Sequence, residues 1–82
     1  MHATEVADRV HRLAHAHVNC YVIDDDDGVT LVDAGLPSMW NLMTDTLRRL
    51  GRGPGDVRAL VLTHGHVGFA RRARVELGVP VL

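Results

Sequence analysis

The sequence is poor in cysteine, in aromatic residues and in long apolar stretches, and it contains no lysine. A single cysteine, Cys20, excludes an intramolecular disulfide and is typical of a reducing compartment. The longest aliphatic run, residues 59–62, is far shorter than the roughly 20 residues that cross a bilayer. Residues 1–20 contain four charged side chains and no apolar run, so no signal peptide is predicted. We therefore expect a soluble, cytoplasmic chain.

The balance of charge argues against a polyanionic partner. Nine arginines face 10 acidic residues, which gives a net charge of −1, so neither nucleic acid nor a membrane surface is an expected partner. An apolar fraction of 46% and a charged fraction of 23% are typical of a globular protein, and 82 residues allow one domain at most. Six histidines are the one compositional excess.

Apolar periodicity predicts strands in the first half of the chain. Residues 6–13 and 18–23 have strand-like patterns, and in the second Val18, Cys20 and Val22 face one way. An Asp-rich turn at 24–28 ends in Asp-Gly and joins this strand to a partner at 29–32, which predicts a hairpin. The turn lacks the ligand spacing of a calcium loop and is expected to be a solvated hairpin tip.

Helical periodicity appears in the second half, where strands and helices alternate. Pro37 and Ser38 open a helix whose apolar face repeats through residues 40, 43, 47 and 50, and Gly51 follows it. A buried strand at 59–62 leads to a second helix over 69–77, which Gly78 ends, and a further strand begins at 79. This order predicts an α/β (α+β layered) fold in which helices cover one face of a sheet.

Two histidines, His64 and His66, directly follow the predicted buried strand. Gly65 between them gives the backbone conformational freedom, so both imidazoles could be directed at one point, and imidazole is a good zinc ligand. Ligand sites of α/β sheets lie at the carboxyl ends of strands, which supports a metal site here, and two surface histidines that only decorate a turn are the alternative.

Three segments together resemble the opening of a metallo-β-lactamase-fold hydrolase. They are VNCYVI at 18–23, LVDAG at 31–35 and LTHGH at 62–66, and they occur in that family's order and at about its spacing. The resemblance implies the N-terminal part of an αββα sandwich and a zinc-dependent hydrolase of small molecules with ester, thioester, lactam or similar bonds. It also implies that His64 and His66 bind the first metal and that Asp33 lies beneath the site and supports the metal-binding loop.

The sequence departs from the family pattern THxHxDH. Gly68 and Phe69 stand where the later Asp and His should be, either by substitution in place or, as we favour, by loss of three residues after His66. Residues 67–82 contain no further His or Asp, although a catalytic zinc site needs about three protein ligands. His15 and His17 are the remaining candidate donors. We therefore assign no catalytic residue, and expect at most one weakly held zinc ion and little or no activity.

A partial sandwich has a structural consequence. If residues 1–82 form a single partial metallo-β-lactamase-like domain, the sheet face meant for the rest of the sandwich is exposed. The alternative function is therefore a non-catalytic, degenerate or truncated interaction module that self-associates through its exposed sheet.

Overall fold

The computed structural model describes residues 2–33, 35–63 and 67–82. Two helices pack on a sheet of five strands, and 3-10 turns at Pro37–Met39 and Pro54–Asp56 precede α1 and β5. The elements are β1 (His2–Ala7), β2 (Val10–His15), β3 (Val18–Asp25), β4 (Gly28–Val32), α1 (Trp40–Arg49), β5 (Val57–Val61) and α2 (Val67–Arg72). The predicted α/β layer is confirmed.

The sheet has the strand order β1-β2-β3-β4-β5. Neighbouring strands are antiparallel as far as β4, whereas β4 and β5 are parallel because α1 returns the chain across the sheet. Beyond β5 the last residues continue the sheet, since Val81 forms a parallel bridge with Leu60 and the amide of Leu82 donates to the Leu60 carbonyl at 2.8 Å. This pairing is where a last strand was predicted.

The core lies on one face of the sheet, which we call the inner face. In β3, Cys20 and Val22 are buried while Tyr21 and Ile23 between and beside them are only half-buried, as the alternation in the sequence predicts. Residues from both helices complete this core, whose buried members are Leu13, Cys20, Val22, Val29, Leu31, Met39, Trp40, Met43, Leu47, Val57, Leu60, Phe69, Ala73 and Val79.

Helix α1 places its predicted apolar face against the sheet. Trp40, Met43 and Leu47 are buried, and Arg48 and Arg49 occupy the last turn, where cations interact favourably with the helix dipole. Trp40 contacts Phe69 of α2 edge to face, with ring centroids 5.2 Å apart. The two helices are thus joined by an aromatic pair on the inner face.

Helix α2 continues into a π-helical segment, Ala73–Leu77, and ends where the sequence predicts. Gly78 has a φ of +65°, a left-handed conformation that glycine adopts without steric cost. Across the described residues, neither helix is long and apolar enough to cross a membrane.

One strand prediction is wrong. Residues 6–13 do not form a single strand, because β1 ends at Ala7 and a tight turn at Asp8 and Arg9 leads into β2. Arg9 has a φ of +62°, and its amide donates to the Glu5 carboxylate at 3.0 Å. A left-handed arginine has no signal in the sequence comparable to Asp-Gly, so the turn was not predicted.

The Asp-rich hairpin forms as predicted, with Gly28 opening β4. Its φ is +139°, and a Cβ at this position would lie 2.6 Å from the carbonyl oxygen of Asp56. Glycine is required here both for the backbone conformation and for the close approach of the chain before β5.

Candidate functional site at the ends of two parallel strands

Strands β4 and β5 end side by side at one edge of the sheet. Val32 pairs with Val61, and the amide of the next residue, Asp33, donates to the Val61 carbonyl at 2.7 Å. Because the two strands are parallel, the segments that follow them leave the sheet at the same edge. Ligand sites of α/β sheets occupy this position.

Asp33 ties the two strand ends together through its side chain. One carboxylate oxygen accepts hydrogen bonds from the amide and the hydroxyl of Thr63, both at 2.7 Å, and the second oxygen also lies 2.7 Å from the hydroxyl. Asp33 is 8% exposed and has a φ of +67°. A buried aspartate in a left-handed conformation carries a conformational cost, which these hydrogen bonds offset.

Cys20 lies on the inner face near this carboxylate. Burial raises the pKa of the Cys20 thiol to about 11, and the negative charge of Asp33 contributes to the increase. The thiol therefore stays protonated at neutral pH and is neither an activated nucleophile nor a ready metal ligand. Its 3% exposure agrees with the prediction from strand alternation that Cys20 is a small buried side chain.

The predicted metal ligands, His64 and His66, lie outside the described residues, so their assignment stays a prediction. The predicted supporting residue, Asp33, contacts Thr63, the residue immediately before them. Thr63 is part of the LTHGH motif, but its contact with Asp33 was not predicted from the sequence. The sequence signal for this contact was the hydroxyl side chain of Thr63, which follows the buried strand β5 just as Asp33 follows the neighbouring strand β4.

His15 and His17 flank the β2–β3 turn at the same end of the sheet. Tyr21 lies opposite Val32, so the beginning of β3 and the turn before it extend beyond the end of β4. Within the described ranges, however, no three His, Cys, Asp or Glu side chains come close enough together to hold a metal ion. The two histidines are near the edge that carries Asp33 without forming a metal cluster with it.

The Asp-rich turn lies at the opposite end of the sheet and is neutralised by arginine. Asp24 accepts a hydrogen bond from Arg52 Nε at 2.9 Å, and its side chain is only 13% exposed, so this residue is not part of a solvated tip. Asp26 is exposed and pairs with Arg9, whose hydrogen bond and positive charge lower the pKa of Asp26. This hairpin therefore has a structural role.

Comparison with known proteins identifies the family. Residues 15–68 match the family model of the metallo-beta-lactamase superfamily. The match covers more than half of the chain, and the chain belongs to this superfamily. The resemblance of the three sequence segments is thereby confirmed.

Solved structures show the same fold. The chain superposes on a subclass B3 metallo-beta-lactamase of Bradyrhizobium japonicum with a TM-score of 0.78 and 22% identity, covering 96% of this chain and 31% of that one. The chain also superposes on a class B3 di-zinc metallo-beta-lactamase from an Alaskan soil metagenome with a TM-score of 0.83 and 19% identity, covering 99% of this chain and 32% of that one.

A sequence relative is the uncharacterized protein YobT of Bacillus subtilis. It is 35% identical to this chain over 49 residues, which is 60% of this chain and 20% of YobT. The chain thus spans about a third of the solved structures and a fifth of this relative.

Proposed function

We propose that this chain carries the amino-terminal part of a metal-dependent hydrolase site, in which His64 and His66 bind one zinc ion weakly. The observation that carries the proposal is the contact between Asp33 and Thr63. It links the ends of β4 and β5 directly before the two histidines. With the ligands of this segment alone, we expect little or no hydrolytic activity. The substrates of a complete site would be small molecules with ester, thioester, lactam or similar bonds.

Asp33 acts in this proposal as a positioning residue. By accepting hydrogen bonds from both polar groups of Thr63, it restrains the backbone at the start of the histidine segment. The entropy of ordering this point is then lost during folding and not during metal binding, which favours binding. The side chain uses its oxygens for Thr63, which supports a role beside the metal ligands and not among them.

The donor set fits zinc in kind but is small in number. Two imidazoles are suitable ligands, whereas zinc sites use about three protein ligands when catalytic and four when structural. The part of the chain that the structure describes contains no cluster of three further donors. When bound, zinc would supply Lewis acidity. With two ligands we expect a dissociation constant weaker than about 1 µM and no hydrolytic step by this chain.

A calorimetric zinc titration of the purified chain tests the proposal. We expect one weakly bound zinc ion, loss of binding in the variant H64A/H66A, and unchanged binding in the matched control H2A/H11A, which also removes two histidines. Binding that is indifferent to H64A/H66A would overturn the assignment of these ligands. Hydrolysis of an ester or lactam by the pure chain, abolished by a chelator, would show that the site is more complete than proposed.

A second candidate function is a non-catalytic interaction module, and a different observation favours it. The centre of the sheet face opposite the helices is apolar and half-buried, and it is formed by Tyr21, Ile23, Val32 and Val61. In a module of this kind H64A would leave association unchanged, whereas a metal site would lose affinity for zinc. The two functions therefore have separate readouts.

A further inference from the structure

The segment that follows β4 passes directly beneath the side chain of Met39. Gly35 in this segment is buried, and a Cβ at its position would lie 2.9 Å from Met39 Sδ and 3.1 Å from Met39 Cβ. A larger residue at 35 would therefore push the methionine out of place. Glycine lets the backbone approach the thioether closely, so the two residues together fix the path of the chain between β4 and α1.

The thioether of Met39 also accepts a backbone hydrogen bond. The amide of Leu36 donates to Met39 Sδ at 3.3 Å, and the amide of Met39 donates in return to the Leu36 carbonyl at 2.8 Å. Leu36 is the residue before the 3-10 turn Pro37–Met39, so this pair of bonds closes the turn from both sides. The side chain of Met39 thus takes the place that glutamate or glutamine takes in a capping box.

Burial accounts for a sulfur acceptor at this position. Met39 is fully buried among the core residues of the inner face. A carboxylate or an amide here would bring further polar atoms that need partners, and leaving them unpaired costs free energy. A thioether is a weak acceptor whose remaining atoms are apolar, so one side chain both fills the core and satisfies the Leu36 amide.

The same segment carries Asp33, which needs support from its surroundings. Its left-handed backbone, with a φ of +67°, is a conformation that persists only where neighbouring contacts fix it. Bonds to β5 and to Thr63 hold one end of the segment, and the sulfur of Met39 holds the other end at Leu36. These contacts form within residues 33–63, so every group that makes them is present in this chain.

We propose that Met39 is a positioning residue for the candidate metal site. Its sulfur holds Leu36, and the segment fixed in this way keeps Asp33 against Thr63, directly before the predicted metal ligands. Met39 does not bind the metal itself, because its sulfur is buried and engaged by a backbone amide. The consequence for zinc rests on the proposed function. Because residues that orient a metal-binding segment raise its affinity, M39L should lower zinc affinity about three-fold or more.

Amide hydrogen exchange of the 82-residue chain, with chelator present, tests the contact without any metal. M39L keeps nearly the same side-chain volume and removes the sulfur acceptor. The amides of Leu36 and Thr63 should therefore exchange about three-fold or more faster than in the unmodified chain. The amide proton resonance of Leu36 should also shift, because this proton loses its acceptor.

M43L is the matched control, because it makes the same change of side chain in the same core. Met43 is 1% exposed, and its sulfur accepts no hydrogen bond within the part of the chain that the structure describes. In M43L the two amides should stay within about two-fold of the unmodified chain. Equal exchange rates of Leu36 in M39L and M43L would overturn the proposal. A rate raised at Leu36 but unchanged at Thr63 would also overturn it, since the segment would then not transmit the restraint.

A calorimetric zinc titration of the two variants tests the role at the metal site. We expect weaker binding by M39L and unchanged binding by M43L. Equal zinc affinity of the two variants would overturn the positioning role even with faster exchange at Leu36. Zinc binding that is indifferent to H64A/H66A would overturn the proposed function and with it the effect on zinc, whereas the exchange rates would still decide whether Met39 holds the segment.

Discussion

Asp33 accepts hydrogen bonds from both the backbone amide and the hydroxyl of Thr63, which is 30 residues away in sequence. The contact joins the carboxyl ends of two parallel strands and involves a buried carboxylate. It is therefore both part of the fold and part of the candidate site.

Replacing Asp33 should destabilise the chain and weaken zinc binding. In D33A the amide of Thr63 loses its acceptor and an alanine must adopt a φ of +67°, so we expect a loss of about 2–4 kcal/mol in the free energy of unfolding. D33N keeps one acceptor oxygen and a residue type that tolerates this φ, and should cost about half as much. Urea unfolding followed by tryptophan fluorescence measures both variants.

D45A is the matched control, because Asp45 is exposed and pairs with Arg48 on the surface of α1. The free energy of unfolding of D45A should stay within about 0.5 kcal/mol of that of the unmodified chain. A D33A chain as stable as D45A would contradict the structural role of Asp33.

Stability should fall at alkaline pH because of Cys20. The pKa of its thiol is raised from 9.0 to about 11, so the folded state holds this proton more tightly than the unfolded state. The stabilising contribution is complete below pH 9 and is lost as the pH rises towards 11, at up to about 1.4 kcal/mol per pH unit.

The contribution of Cys20 is isolated by comparison with C20A, which has no thiol to titrate. The difference in unfolding free energy between the two proteins should be constant from pH 7 to 8.5 and should decrease above pH 9. A difference that stays constant to pH 11 would show that the thiol does not have a raised pKa.

Gly28, at the start of β4, should tolerate substitution much less well than Gly55, which lies in the turn before β5. In G28A the new Cβ meets the carbonyl of Asp56 at 2.6 Å and the backbone keeps an unfavourable φ, so we expect a loss of about 2–4 kcal/mol. A Cβ added at Gly55 would have no neighbouring atom within 4 Å, so G55A should be neutral or slightly stabilising. Thermal unfolding of the two variants compares them directly.

The guanidinium of Arg72 lies 4.5 Å from the centre of the Trp40 ring, which is the ring of the one tryptophan in the chain. R72A should therefore shift the native fluorescence and lower the unfolding free energy by about 0.5–1 kcal/mol. Arg72 also forms an ion pair with Glu76. The variant E76A removes this ion pair and keeps the contact with the ring, so it should leave the fluorescence unchanged. An equal spectral shift in E76A would contradict the assignment to the ring.

The strands and helices were predictable where their signals are local. The alternation in β3, the helical spacing of Trp40, Met43 and Leu47 and the Asp-Gly turn each depend on residues a few positions apart. The turn between β1 and β2 was missed because it depends on a left-handed Arg9 that the neighbouring residues do not signal.

The candidate site was predictable only through its motifs. His64 and His66 were candidates from their position after a buried strand and from the resemblance to a family, whereas the role of Asp33 came from the resemblance alone. The comparison with known proteins confirmed the family over residues 15–68. The partner of Asp33 was not predicted, because the contact requires β4 and β5 to lie side by side in parallel register.

By itself the sequence determined the order of elements from β3 onwards, the membership of the metallo-beta-lactamase superfamily and the alternation that separates two faces of a sheet. Only the tertiary structure decided which face the helices cover, where Asp33 finds Thr63 and why the Cys20 thiol is hard to ionise. The physical reason is the range of the interactions involved. Backbone periodicity is set by neighbours within a few residues, whereas burial, long-range hydrogen bonds and pKa shifts arise when distant segments pack together.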